Sequence, residues 1–257
     1  MILDKIIETK KEEVAQLKKE TTQAQLLATI ANLEPCRDFR MALQDGSCNI
    51  IAEVKCASPS RGRLIEDFNP VRIAGIYEKN GAAAISVLTD EKYFAGHKNY
   101  LTQIKQKVGL PLLRKDFIID PIQIYETRAI GADAILLIVR ALGKKLAEFI
   151  SLSKELCLSQ LVEVHDEVEL DLALAARSEI IGINNRNLDT FVTDIETSRR
   201  LKTQIPESKI VVAESGIRDR KDIELLMRDG IKSFLIGEHL VISDDIGKKL
   251  RQFKGDI

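Results

Sequence analysis

Residues 50–61 read IIAEVKCASPSR, and the fold follows from how that stretch recurs. It opens apolar and β-branched, like a strand buried on both faces. It then places Glu53 and Lys55 two residues apart. Successive strand side chains point to opposite faces, so Glu53 and Lys55 share one face with Ile51. Burying an unpaired charge costs on the order of several kcal/mol. A carboxylate and an amine at the end of a buried strand are therefore either a self-satisfied ion pair or part of a site.

The pattern repeats downstream. Short apolar runs at 50–54, 83–88, 110–113, 134–139, 160–164, 180–183, 210–213 and 233–236 read as strands. Between them, amphipathic stretches at 70–79, 99–107, 121–130, 144–157, 167–176, 193–203 and 220–228 read as helices. Gly81, Gly131 and Gly230 stand where helices should end, and glycine accepts the positive φ of that position. Asn69-Pro70 and Asp120-Pro121 supply a cap followed by proline at the first helical position. About eight strand–helix units in roughly 210 residues predict an α/β fold, a (β/α)8 TIM barrel. The alternative is an open doubly wound sheet, but neither GxGxxG nor GxxxxGK[ST] follows any run.

Ahead of the first strand, residues 1–44 read as helices. Ile2, Ile6, Ile7, Val14 and Leu17 form one apolar stripe, and Leu26, Leu27, Ile30 and Leu33 a second that Pro35 should end. Phe39, Met41 and Leu43 then lead toward the first strand. The expected organisation is a single barrel domain over 1–257, with residues 1–48 as a helical extension packed on it as a floor or lid.

Composition narrows the function classes. The chain has 257 residues, 45% of them apolar, enough for a full core. A net charge of −1 gives no field toward nucleic acid or an acidic membrane, and the absence of Trp argues against base-stacking platforms. No apolar run approaches the roughly 20 residues of a membrane span, and the N-terminus lacks the apolar core of a secretory signal. Cys36, Cys48, Cys56 and Cys157 are scattered and read as reduced thiols of a cytoplasmic protein. His97, His165 and His239 have no metal-ligand spacing.

Active sites of such barrels lie at the C-terminal ends of the strands. There the chain places Glu53-Val54-Lys55, Arg114-Lys115-Asp116, Glu163, Asn184-Asn185-Arg186, Glu214-Ser215-Gly216 and Gly237-Glu238. Parity puts Lys115 on the face of Leu113, Glu163 with Leu161, Asn184 with Gly182, and Glu214 with Val212. Two lysines and three glutamates are thus expected to converge on one polar mouth. Ser215, Gly216 and Gly237 would present backbone N–H groups to a phosphate. Glu238 would have to turn its carboxylate away. Ser58 and Pro59 belong either to a rigid loop over an anionic substrate or to an ordinary Ser-Pro turn.

AEVKCASPSRG, LTDEKYFAGH, LLRKDFIID, ADAILLIV, LVEVH, IGINNRNLDTF, VVAESGI and FLIGEHL resemble, in order and spacing, the motifs of the indole-3-glycerol-phosphate synthases. Cys56, Ala57 and Glu238 depart from common family residues without removing a catalytic group. The resemblance implies a cofactor-free lyase of tryptophan biosynthesis. It would act on a small phosphorylated substrate, with functional neighbours in that pathway and no nucleic-acid or membrane partner. The reaction closes the ring of 1-(2-carboxyphenylamino)-1-deoxyribulose 5-phosphate, releasing CO2 and water.

On that resemblance Lys115 is the general acid, since lysine is protonated at neutral pH with an ordinary pKa of about 10.4. Glu163 is the base of the dehydration. Lys55 protonates the leaving hydroxyl or holds the substrate carboxylate, and the division of steps between the lysines stays open. Glu53 and Glu214 orient the lysines, Asn184 binds a hydroxyl and Arg186 braces the carboxylates. Pro59, Phe94, Phe117, Leu136, Leu188 and Leu235 wall the aryl ring, with core packing the alternative for Leu136 and Leu235. Ser215, Gly216, Gly237 and Glu238 hold phosphate. The rivals are a phosphoribosyl isomerase on a similar barrel and a non-catalytic phosphate-binding barrel.

Overall fold

The computed structural model describes residues 2–59, 61–187 and 190–256. Eight parallel strands form a closed barrel: β1 (Asn49–Val54), β2 (Ala84–Leu88), β3 (Leu112–Lys115), β4 (Ala134–Ile138), β5 (Ser159–Val164), β6 (Ile180–Asn184), β7 (Ile210–Glu214) and β8 (Ser233–Ile236). Each strand pairs with its neighbours in sequence. β1 closes the ring by pairing with both β2 (Glu53↔Ser86) and β8 (Ile51↔Leu235), so no edge is left open.

Two concentric cores follow from strand parity. Ile51, Leu113, Leu161, Val212 and Leu235 point inward and fill the barrel. Ile50, Ile85, Leu112, Val162, Ile181 and Phe234 point outward and meet the helices. Burying one such side chain stabilises the fold by about 1.5–3 kcal/mol. Phe39 and Leu43 join the inner core, while Met41 is exposed.

The helices Pro70–Lys79 and Arg220–Arg228 match their expected bounds, capped by Asn69 and Asp219. Gly81, Gly131 and Gly230 all have positive φ. Other bounds differ. The third strand, expected over 110–113, runs Leu112–Lys115, because proline at 111 has no N–H for the ladder. Val139 leaves the strand for a short helix, Val139–Leu142. The stretch 144–157 yields a 3-10 turn, Gly143–Lys145, before the helix Leu146–Glu155. Helices Glu91–Phe94, Glu238–Val241 and Ile246–Lys254 were not anticipated, nor was the small hairpin of Ala57–Ser58 with Gly62–Arg63.

Before the barrel come helices Ile2–Glu20, Gln23–Ile30 and Phe39–Ala42. The second ends at Ile30, well ahead of Pro35, and starts with a capping box between Thr22 and Gln25. The first is tied to the barrel by Lys10, whose ammonium lies 2.9 Å from both Asp90 and Asp116. Among the described residues no helix is long and apolar enough to cross a membrane.

Candidate active site

The strand ends open into a cavity of about 570 Å³, and Glu53, Lys55, Lys115, Glu163, Asn184 and Glu214 all line it. β3 delivers Lys115 to its centre. The Lys115 ammonium donates to Glu163 Oε2 and Glu214 Oε2, each at 2.9 Å. Lys55 Nζ lies 3.2 Å from Glu53 Oε1. Asn184 Nδ2 donates to Glu163 Oε1 at 3.2 Å.

Two glycines make room for this cluster. A Cβ on Gly237 would stand 2.5 Å from Glu53 Oε1. A Cβ on Gly182 would collide with Glu214 Oε1. Gly237 was expected as a phosphate-binding glycine; close approach to Glu53 alone already requires it. Gly182 was seen in the sequence only as a parity marker.

The charges are unequally held. Burial opposes the Lys115 ammonium, yet Glu163, Glu214 and Glu53 outweigh it and push its pKa above the usual lysine range. Burial likewise opposes the Glu163 carboxylate, but Lys115 and His165 hold it well below the usual range. Glu214 goes the other way. Burial, with Glu163 and Glu53 adding to it, raises its pKa to about 7 against the pull of Lys115. Its Oε1 is buried and lacks a hydrogen-bond partner. Lys115 thus sits between one firmly ionised carboxylate and one that changes protonation near neutrality.

An apolar wall flanks the charges. The rings of Phe94 and Phe117 lie 6.2 Å apart, and Lys55 Nζ stands 5.5 Å from the Phe94 centroid. Pro59, Leu136 and Leu235 line the same cavity, although Leu136 and Leu235 are also part of the inner core. Leu188 lies outside the described residues. The first helix adds Ile2, Leu3 and Ile6 to the wall. Ile2 and Ile6 belong to the apolar stripe of the extension expected to pack on the barrel as a floor or lid.

Across the mouth, Ser215 and Gly216 both take left-handed backbone conformations, φ 63° and 77°. For Ser215 that costs on the order of 1 kcal/mol. Ser215, Gly216, Gly237 and Glu238 all line the cavity. The Glu238 carboxylate pairs with Arg61, Nε–Oε1 3.1 Å. Ser58 lines the cavity too, and its buried Oγ has no partner.

Arg186 departs from expectation. It lines the cavity, but its guanidinium donates to the Phe191 carbonyl at 3.4 Å and, among the described residues, to no carboxylate. Its backbone bridges to that of Thr193.

Two residues escaped sequence reasoning. Asn185 is buried and braces the seventh strand's end: its Nδ2 donates to the Ser215 carbonyl, and its Oδ1 accepts from the Ser198 N–H and hydroxyl. His165 stands behind Glu163, Nε2 to Oε1 3.4 Å. Its parity with Glu163 in LVEVH was the available signal.

Similarity to known proteins agrees with this geometry. The chain matches the family model "Indole-3-glycerol phosphate synthase" over residues 3–253. It is 48% identical over 259 residues to the indole-3-glycerol phosphate synthase of Alkaliphilus metalliredigens, covering 100% of this chain and 99% of the relative. It is 50% identical over 254 residues to that of Chlorobaculum tepidum, covering 98% of each. Among solved structures, KGPDC from Streptococcus mutans superposes with a TM-score of 0.64 at 11% identity, over 82% of this chain and 97% of that one, a likeness of fold alone. With matches of this extent, end to end and close to half identical, the chain belongs to the indole-3-glycerol phosphate synthase family.

Proposed function

We infer that this chain closes the pyrrole ring of 1-(2-carboxyphenylamino)-1-deoxyribulose 5-phosphate and releases indole-3-glycerol phosphate, CO2 and water. The observation that carries the assignment of roles is the Lys115 ammonium held 2.9 Å from both Glu163 and Glu214 inside the cavity. In this reading the aryl carbon bearing the carboxylate attacks the ketone carbon, and Lys115 gives the ketone oxygen its proton. Loss of CO2 restores the aromatic ring. Glu163 then takes the proton from the neighbouring carbon, while Lys55, freed of the carboxylate lost as CO2, gives the new hydroxyl the proton with which it departs as water. Glu214 returns a proton to Lys115; its tendency to hold one near neutrality supports that role.

Lys55 holds the substrate carboxylate. Its place beside Phe94 supports this, because the carboxylate is borne on the aryl ring that Phe94, Phe117, Pro59, Leu136 and Leu235 would wall. Glu53 orients Lys55, and Asn184 orients Glu163 while reaching a sugar hydroxyl. The phosphate lies at Ser215, Gly216, Gly237 and the backbone of Glu238, with Ser58 donating from the opposite loop. One domain over 1–257, with residues 1–48 docked as an extension, is the organisation adopted. The Lys10 ion pairs support it. A cytoplasmic setting among tryptophan-pathway neighbours completes the reading, supported by four cysteines that form no disulfide.

The test is direct. Purified chain given the substrate should produce indole fluorescence together with CO2. An isomerised sugar without an indole ring, or bound substrate without turnover, would remove the assignment.

A further inference from the structure

We propose that His165 is a positioning residue for Glu163: anchored by Glu169, its ring backs the carboxylate oxygen that Lys115 does not hold. The inference rests on the assignment of Glu163 as the base. His165 follows Glu163 by two residues at the end of β5, so both side chains leave the strand on one face. Its side chain is 5% exposed and is not part of the cavity wall, so it acts on the substrate only through Glu163.

Each ring nitrogen faces a carboxylate. Nδ1 lies 2.8 Å from Glu169 Oε2, which also accepts the His165 backbone N–H at 2.9 Å. Glu169 is held in turn by Arg140 Nε at 2.9 Å, and Arg140 also lies 3.8 Å from Asp166. Nε2 faces Glu163 Oε1 at 3.4 Å, an ion-pair distance, without an aligned hydrogen bond of its own. Glu163 and Glu169 are the groups that face the ring; Arg140 and Asp166 reach it through Glu169. Burial opposes a charge on the imidazole, yet these two carboxylates raise its pKa to about 9. The ring is therefore a cation at neutral pH.

The reaction sequence gives that cation a purpose. Lys115 neutralises Glu163 through Oε2. Once Lys115 has passed its proton to the ketone oxygen, and until Glu214 returns one, Oε2 faces a neutral amine. A buried carboxylate left without a cation takes up a proton. Glu163 would then be spent before the carbon proton had to be removed. An imidazolium on Oε1 keeps it ionised between the two steps. Among the described residues, Lys115 and His165 are the cations paired with Glu163.

The experiment compares wild type, His165→Gln and Glu169→Gln for kcat and KM from the lowest pH at which circular dichroism shows each fold intact up to about pH 10. For His165→Gln, kcat at neutral pH should fall about tenfold while KM stays within about twofold. Its acid limb should move upward by about one pH unit, because Glu163 has lost a cation that favoured its charged form. Wild-type kcat should decline as the imidazolium loses its proton near pH 9, and that decline should be absent from this variant. Glu169→Gln, which leaves the ring in place, should move the acid limb the same way by less. An unmoved acid limb in both variants overturns the positioning role, whether or not the rate has fallen uniformly. Should His165→Gln fail to fold, the acid limb of Glu169→Gln decides alone. A wild-type enzyme that makes no indole product, or a Glu163→Gln variant at wild-type rate, overturns the base assignment instead.

Discussion

Two buried charge clusters lie on opposite sides of β3, where Arg114-Lys115-Asp116 alternates out, in, out. Outside the barrel, Asp116 is bound by Lys10 at 2.9 Å, by Arg114 at 3.1 Å and by the Thr89 hydroxyl at 2.6 Å. Arg114 also reaches Glu126 at 2.9 Å, and Lys10 holds Asp90 and Glu13. This cluster lies beneath the N-terminal helix, with Asp116 also at the cavity wall, and each of its carboxylates has a cation. Inside the barrel, Lys115 holds Glu163 and Glu214 at the wall of a cavity, and one Glu214 oxygen is left without a partner. Both clusters are buried and charged. What separates them is how far they face a space large enough for a small molecule: Lys115, Glu163 and Glu214 all line it, and of the outer cluster only Asp116 does. A closed network holds the structure together, whereas an open one has capacity left for a substrate.

That contrast can be broken by mutation. Lys115→Ala should lower kcat/KM by about 10³-fold or more with the fold intact. A variant within about tenfold of wild type, under ~1.4 kcal/mol of lost transition-state stabilisation, would take Lys115 out of the chemistry. Glu163→Gln should slow turnover about 10²-fold or more and build up the decarboxylated, still hydrated intermediate. Rapid-quench analysis that finds only unreacted substrate would move Glu163 to an earlier step.

The outer cluster should respond in stability instead. Lys10→Met leaves Asp90 and Asp116 buried without their shared cation and should cost about 3–5 kcal/mol in urea unfolding. Turnover at saturating substrate should stay within about tenfold of wild type; a larger loss would mean that the two clusters act as one.

The smallest effect is the most discriminating. Asp116 and Glu126 are buried, but Arg114 and its neighbours hold their pKa values below the usual range. Their stabilisation is therefore present above the unfolded pKa of about 4 and is lost as pH falls through the folded values. Glu214 runs in the opposite sense. Its pKa is raised from 4.5 to about 7, so its favourable contribution is complete below 4.5 and is lost as pH rises through 7. Glu214→Gln should therefore raise Tm by about 2–4 °C at pH ~8, roughly the effect of 1 kcal/mol on a chain of this size. The gain should vanish near pH ~4. Calorimetry showing an equal gain at both values would mean that Glu214 carries no such strain.

Reading strands by their apolar runs placed all eight but cut several short. Asn184 and Glu214 were set just beyond their strands, and both lie within the ladder. Backbone pairing continues into the polar mouth because the N–H and C=O groups are indifferent to side-chain polarity. The reverse error fell at Val139, an apolar residue that begins a helix. For the site, parity was a sufficient guide to Lys115, Glu163 and Glu214, since a period of two assigns every strand residue a side. The contact of Arg186 with the Phe191 carbonyl was not legible, because no periodicity encodes the bridge between Arg186 and Thr193.

The order of residues by itself determined the alternation of strands and helices, the side each strand residue faces and the polar end of the barrel. These are local properties, fixed by spacing along a few residues. Only the tertiary structure decided that Lys10 would seal Asp90 and Asp116, that Gly182 and Gly237 would clear space for carboxylates, and that His165 would back Glu163. The exact bond partners among buried charges depend on distances of a few ångströms between segments far apart in the chain. Such distances exist only once β1 and β8 have met.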